Sequence, residues 1–325
     1  MNAPLLELRD LRVTLPGARG EVALLRGVSF ALHAGETVGL IGESGCGKSL
    51  TALALMGLLP PGARADGSLR FEGRERLGQD EAAWCALRGD RVAMVFQEPM
   101  TALNPLHPIG RQVAEPLRIH RGLSGVAARS EALRLLDRVQ LPNAARRLDA
   151  YPHQLSGGQR QRVGIAMALA CGPDLLIADE PTTALDVSTQ REILELIDGL
   201  VRDSGMALLL ISHDLGLMAR HVGRVMVMYG GRLVESGPTA AVFERLAHPY
   251  TRALAGARPR LGATRGTRLA TIPGRVPDAA ELGPGCPFAG RCPRAGDDCL
   301  PAMPPAVEPG PGHAVHCLRP HPPTG

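Results

Sequence analysis

The sequence predicts an α/β chain built on a parallel sheet, with a helical segment inserted midway and a small cysteine-bearing unit towards its C-terminal end. Three observations predict it. Four short apolar runs, Thr37 to Ile41, Val92 to Phe96, Leu175 to Asp179 and Ala207 to Ser212, read as buried strands that give way to glycine or polar residues. Between Glu98 and Tyr151 the apolar residues recur at helical spacing, over Gly110 to Arg121 and Gly125 to Val139, broken by glycine and a loop containing Pro142. Residues 256–325 hold fourteen prolines and eleven glycines in 70 positions, a composition at which regular elements give out.

At roughly 100 to 200 residues per domain, 325 residues allow two or three units and a sizeable core. With nine aromatic residues in all, that core has to be built from Leu, Val, Ile, Ala and Met. No apolar stretch approaches the ~18 residues of a membrane span, and Glu7, Arg9 and Asp10 stand where a signal peptide needs an apolar run. A cytosolic location is therefore expected. The net charge of +4, with both signs interspersed, excludes the basic stripe that a nucleic-acid partner requires. Of the 36 basic residues only Lys48 is a lysine, and a chain that otherwise uses arginine keeps a compact ammonium where a planar guanidinium cannot serve.

The first strand, Thr37 to Ile41, runs into Gly42-Glu43-Ser44-Gly45-Cys46-Gly47-Lys48-Ser49, and helix-forming residues Leu50 to Leu59 follow. This is a phosphate-binding loop in its required setting of strand, glycine-rich turn and helix, and a chance match on this composition is roughly one in a thousand. Its glycines let backbone N–H groups converge on the α and β phosphates of a nucleotide at a helix N-terminus. Lys48 reaches the β and γ oxygens, and the Ser49 hydroxyl ligates Mg²⁺. The cofactor-binding set is thus Gly42 through Ser49, reaching as far as position 51. Cys46, close to that helix N-terminus, is expected to have a lowered pKa and a reactive thiol.

The run Leu175-Leu-Ile-Ala-Asp179-Glu180 ends a buried strand in two carboxylates, where a sheet presents its edge to a nucleotide. Asp179 is placed to hold Mg²⁺ and Glu180 to polarise the attacking water. Between loop and carboxylates lies Leu155-Ser156-Gly157-Gly158-Gln159, ahead of a helical stretch from Arg160 to Ala170, which again offers bare N–H groups to an anion.

Leu155 to Gln159, set between the two nucleotide motifs, resembles the signature of the ATP-binding cassette (ABC) family, and the resemblance covers about residues 4 to 255. It implies the cassette form of the P-loop NTPase fold: a parallel sheet core, an antiparallel β subdomain and an inserted helical subdomain over about residues 98–170. It assigns Gln97 to the loop that senses Mg²⁺ and the attacking water, Ala184-Leu185-Asp186 to the loop that crosses the dimer interface, and His213 to the switch that contacts the γ-phosphate. Glu180, His213 and Gln97 are then the catalytic set. It also implies a head-to-tail pair of cassettes, identical or homologous, with two ATP molecules between them, each touching the phosphate loop of one subunit and the signature of the other. One position departs from the family pattern: where an aromatic residue usually stacks on adenine, the first strand offers Leu15, and stacking of ~1 to 3 kcal/mol is reduced.

Gln97-Glu-Pro-Met-Thr-Ala-Leu-Asn-Pro105 and Tyr151-Pro-His-Gln154 resemble the dipeptide and oligopeptide importer branch of that family. The branch implies an ATPase subunit on the cytoplasmic face of the inner membrane, held peripherally by two transmembrane permease subunits and served indirectly by an extracytoplasmic solute-binding protein. A nickel or other small-solute importer is the alternative; a soluble cassette acting on DNA or ribosomes fits less well. Residues 256–325 carry Cys286, Cys292, Cys299 and Cys317, and a unit so poor in core residues needs a staple. Disulfides do not suit a reducing compartment, which leaves a metal or cluster, or free thiols in a loose tail. The spacing does not separate an iron–sulfur cluster from zinc. Some members of the importer branch hold a [4Fe-4S] cluster on such cysteines, and the resemblance implies the same here.

Overall fold

The strands form two sheets, one wholly antiparallel and one mixed. The computed structural model describes residues 3–18, 20–97, 102–183, 185–257 and 271–322. Glu98, Pro99, Met100 and Thr101 of the importer-like segment, Ala184, and residues 258–270 and 323–325 of the extension lie outside the described residues.

The first sheet is antiparallel, in the order β2-β1-β4-β5, from β1 (Leu6–Gly17), β2 (Gly20–Leu32), β4 (Arg64–Phe71) and β5 (Arg74–Glu75). In β1 the register slips between Leu8 and Leu11, with Asp10 at φ 47°. That bulge inserts one residue, so Leu6, Leu8, Leu11 and Val13 all stay on the buried face although simple alternation would turn the last two outward.

The second sheet carries the order β11-β12-β10-β9-β3-β8-β7-β6. Its parallel part is β3 (Thr37–Ile41), β6 (Val92–Val95), β7 (Leu175–Asp179), β8 (Ala207–Ile211) and β9 (Arg224–Tyr229). Strands β7 and β8 are buried at every position, which is why they read as apolar runs rather than alternating ones, broken only by Asp179 at the end of β7. Helix α1 (Lys48–Leu55) starts at the phosphate loop. It stops short of the expected Leu59 because Gly57, at φ 62°, turns the chain and packs against Trp84, where a Cβ would come within 2.2 Å of the indole. Within 98–170 the chain forms α3 (Ile109–Arg121), α4 (Gly125–Arg138), the short α5 (Ala144–Arg147) and α6 (Gly157–Ala168), after α2 (Glu81–Leu87). Val187–Ser204 forms α7 and Leu215–His221 forms α8.

The extension is tied to the larger sheet. Its strands β11 (Ala306–Gly310) and β12 (His313–His316) continue that sheet antiparallel to β10 (Arg232–Pro238), pairing Val315 with Glu235 and Ala314 with Ser236. Fully buried Glu235 accepts hydrogen bonds from His313 Nε2 at 2.8 Å and from the backbone N–H groups of Ala247 and His248 at 3.0 and 2.9 Å. Phe288 is buried against Tyr229, edge to face with ring centroids 5.2 Å apart. The expected lack of a core is thus met by borrowing the core of the sheet. Among the described residues no helix is long and apolar enough to cross a membrane.

Candidate nucleotide-binding site

Four parallel strands release their polar residues at one edge of the sheet. The phosphate loop follows β3, Gln97 follows β6, Asp179 and Glu180 end β7, and His213 follows β8. In open parallel sheets this carboxyl edge is where ligands bind. A cavity of about 350 Å³ opens there, lined by Ser44, Gly45, Gly47, Lys48, Ser49, Gln97 and Glu180. Leu15 reaches the same cavity from the antiparallel sheet. Gly42, Glu43 and Cys46 do not line it; they build the loop from behind.

Glycine is dictated at two loop positions. A Cβ on Gly42, at φ 157°, would lie 2.2 Å from the Met228 carbonyl oxygen, and one on Gly47, at φ 106°, would meet Leu25 at 2.8 Å. Lys48 Nζ donates to the carbonyls of Gly42 at 2.8 Å and Glu43 at 3.1 Å, and its side chain is buried. Position 51 is a threonine whose hydroxyl donates to the Gly47 carbonyl at 2.9 Å and closes the first turn of α1. The expectation for Cys46 is corrected. Its side chain points into the core, 1% exposed, and burial pushes the thiol pKa up despite the nearby Lys48 ammonium.

Asp179 is 4% exposed. Burial raises its pKa, against the opposing effect of a hydrogen bond from Ser49. Its Oδ1 is buried with no hydrogen-bond partner among the described residues. A buried carboxylate oxygen left open beside a serine hydroxyl at a phosphate loop is the donor set that suits Mg²⁺, which takes one or two protein oxygens and completes its shell from phosphate and water. Glu180 stands at φ 45°, its N–H bonded to the Ile211 carbonyl at 2.9 Å. Its carboxylate accepts from Gln97 Nε2 at 3.2 Å and Thr183 Oγ1 at 3.0 Å, and its other oxygen lies 3.3 Å from His213 Nδ1. Gln97 and His213, picked out after two other strands, are thus brought onto the Glu180 carboxylate.

Leu155 to Gln159 do not line this cavity. Ser156 instead caps α6, accepting the Gln159 N–H at 3.3 Å while the Gln159 side chain accepts the Ser156 N–H at 3.1 Å. A Cβ on Gly158 would come within 2.6 Å of Thr189, so the close approach of α7 requires glycine there. Asp186 caps α7, accepting from Thr189 N at 3.0 Å, Thr189 Oγ1 at 2.7 Å and Ser188 Oγ, which holds its carboxyl well below the usual carboxylate range.

Several residues at the site carry no motif. Val276, Pro277, Ala279 and Leu282 of the extension wall the cavity, and Tyr250 and Arg291 grip the phosphate loop from outside. The one signal for them is aromatic scarcity: of nine aromatic residues, Tyr229, Tyr250 and Phe288 converge with centroids 4.6 to 5.3 Å apart.

Cys286, Cys292, Cys299 and Cys317 line one narrow cavity. Backbone N–H groups of Arg294 and Arg319 donate to Cys292 Sγ at 3.4 Å and Cys317 Sγ at 3.3 Å, and Arg319 Nη1 donates to Cys299 Sγ at 3.4 Å. Burial, reinforced by the charges of its three fellow thiols, pushes Cys286 up to about 11. Yet no group of three or more His, Cys, Asp or Glu among the described residues is arranged to hold a metal ion. The expected cluster therefore finds thiol donors gathered around one space, but no formed cage.

Comparison with known proteins agrees with this geometry. The family described as ABC transporter matches residues 25–183, and that described as Oligopeptide/dipeptide transporter, C-terminal region, matches residues 234–299. The chain is 48% identical over 316 residues to the oligopeptide transport ATP-binding protein OppD of Salmonella typhimurium, covering 97% of this chain and 94% of that one. It is likewise 48% identical to OppD of Escherichia coli, with 97% and 93% covered. Among solved structures it is similar to the dimeric ATP-binding cassette MJ0796 in a post-hydrolysis state bound to ADP and Pi, at 30% identity and a TM-score of 0.65, covering 72% of this chain and 98% of that one.

Proposed function

The chain belongs to the ABC transporter family, and from that premise we propose that it is the ATP-binding and ATP-hydrolysing subunit of an importer for oligopeptides or dipeptides. The carrying observation is the convergence of Lys48, Gln97, Glu180 and His213 at one sheet edge, in a chain almost half identical along nearly its whole length to oligopeptide transport ATP-binding proteins.

In this reading Gly45 and Gly47 bring the backbone up to the phosphates, and Lys48 exchanges its contacts with loop carbonyls for contacts with phosphate oxygens. Ser49 and Asp179 would hold Mg²⁺, which neutralises charge on the phosphates. Glu180 takes up the proton of the attacking water, and Gln97 and Thr183 fix its carboxylate. His213, exposed but within 3.3 Å of Glu180, reports the γ-phosphate to α8. Ser156 to Gln159 serve the ATP of a second cassette in a head-to-tail pair; their absence from the cavity lining supports that assignment. Residues 1–255 make up the nucleotide-binding domain, with the helical subdomain at about 98–170, and 256–325 the cysteine-bearing extension. Two membrane permeases, a second cassette and, indirectly, an extracytoplasmic binding protein are the partners. The chain works peripherally at the cytoplasmic face of the membrane.

Cys286, Cys292, Cys299 and Cys317 would hold a [4Fe-4S] cluster, or zinc, as a cross-link within the extension; their shared cavity and the N–H bonds to sulfur support this. About four iron atoms per anaerobically purified chain would bear out the cluster, one zinc would replace it, and no metal in a well-folded chain would overturn both. The function is tested by reconstituting the chain with its permeases and following ATP-driven uptake of a labelled peptide. Lys48→Arg should abolish both uptake and hydrolysis, since the wider guanidinium does not fit a loop closed around a point charge. Hydrolysis undiminished in that variant, or uptake of a metal ion in place of peptide, would overturn the reading.

A further inference from the structure

Glu43 is an odd residue to find in a loop that binds polyphosphate. It stands two positions before Gly45, and a free carboxylate there would repel the anion that the loop collects. The structure turns it away and pins it from two sides. Its backbone N–H donates to the Tyr250 hydroxyl at 2.7 Å. Its carboxylate receives both arms of the Arg291 guanidinium, Nη1 at 2.7 Å and Nη2 at 3.2 Å.

Arg291 is held as firmly as the residue it holds. Its side chain is only 6% exposed. Nε donates to the Pro273 carbonyl at 2.8 Å, Nη1 also to the Tyr229 hydroxyl at 3.1 Å, and Nη2 also to the Ile272 carbonyl at 3.3 Å. The guanidinium plane lies over the rings of Tyr229 and Phe288, 5.8 and 6.0 Å from their centroids. A fork committed to a carboxylate, a phenol and backbone carbonyls has no freedom to swing towards a ligand.

The geometry points to Arg291 as a positioning residue for ATP binding: it neutralises Glu43 and holds the phosphate loop open to the nucleotide from within the cysteine-bearing extension. This deepens the proposed function and rests on it. The consequence is that the extension acts in cis on the site, since Arg291 lies in the turn between Cys286 and Cys292. Losing the guanidinium leaves the Glu43 charge uncompensated beside the phosphates, which weakens binding and leaves the chemical step at Glu180 alone. KM for ATP should rise while kcat holds.

The test uses the full chain, with a fluorescent ATP analogue for affinity and steady-state hydrolysis for KM and kcat. Arg291→Met should weaken binding about tenfold with kcat within about twofold. Adding Glu43→Gln to it should recover most of that loss, because the charge that needed a partner has gone; a fault confined to folding of the extension would not be repaired this way. Arg291→Lys, which keeps the charge and loses the fork, should fall between. If Arg291→Met does not fold, Arg291→Lys with and without Glu43→Gln makes the same comparison. Unchanged affinity in the arginine variants, or no recovery on removing the Glu43 charge, would overturn the inference while leaving the nucleotide site standing. Failure of the wild-type chain itself to bind the analogue would overturn the reading of the site, and this inference with it.

Discussion

Replacing Glu180 by glutamine changes one oxygen for an NH₂ group and nothing in size. The carboxylate it removes accepts from Gln97 Nε2 at 3.2 Å and Thr183 Oγ1 at 3.0 Å and faces His213 Nδ1 at 3.3 Å. A glutamine keeps one acceptor, so its oxygen satisfies Gln97 and Thr183 and its NH₂ turns to His213, where a neutral ring can accept through an unprotonated Nδ1. Local structure and nucleotide binding should therefore survive. On the proposed reading what is lost is the base: a positioned proton acceptor contributes ~10² to 10⁴ in rate, or about 3 to 5 kcal/mol of barrier at 1.36 kcal/mol per factor of ten. Phosphate release should fall by at least about a hundredfold while a fluorescent ATP analogue binds with affinity within about threefold of wild type. With the γ-phosphate retained, the closed cassette pair should accumulate and be visible as a dimer by size. A hydrolysis rate within about threefold of wild type, a change of only ~0.65 kcal/mol, would remove Glu180 from the chemical step.

Two further outcomes follow from side chains that depart from simple expectation. Cys46 is buried with a raised pKa, so iodoacetamide at mildly alkaline pH should modify exposed Cys85 first and leave nucleotide binding intact; rapid labelling of Cys46 with loss of binding would contradict its placement beneath the loop. Leu15 lines the cavity where the family usually offers an aromatic face, so Leu15→Tyr should tighten ATP binding by about fivefold or more, equivalent to ~1 kcal/mol of added stacking, as read by calorimetry; no gain would place the base elsewhere.

The parallel core was legible because burial on both faces removes alternation: Thr37–Ile41 and Leu175–Asp179 are strands over the predicted residues. The loop was legible because its glycines answer steric demands that no other residue meets. Helix ends were less so. Apolar periodicity places the helix after the signature at Arg160, yet it starts at Gly157, because the reciprocal bonds of Ser156 and Gln159 begin the helix before any apolar residue appears. Asp186 shows the same effect in another loop: its carboxylate caps α7, a local role that family resemblance alone does not reveal.

The extension was hardest to read, and the reason is physical. A composition rich in proline and glycine signals that a segment cannot fold around itself, but says nothing of whether it can fold onto something else. Here β12 finds the edge of β10, His313 finds buried Glu235, and Phe288 finds Tyr229, all contacts that no periodicity within 256–325 encodes. The bond from Arg291 to Glu43 spans 248 positions, and each partner taken alone looks like an ordinary surface charge. Only their juxtaposition explains why a phosphate loop tolerates a carboxylate at its second position. Arg291 joins the cysteine-bearing turn to the phosphate loop; were a ligand of that turn to tighten nucleotide binding through this bond, nucleotide would by linkage tighten binding of that ligand by the same factor.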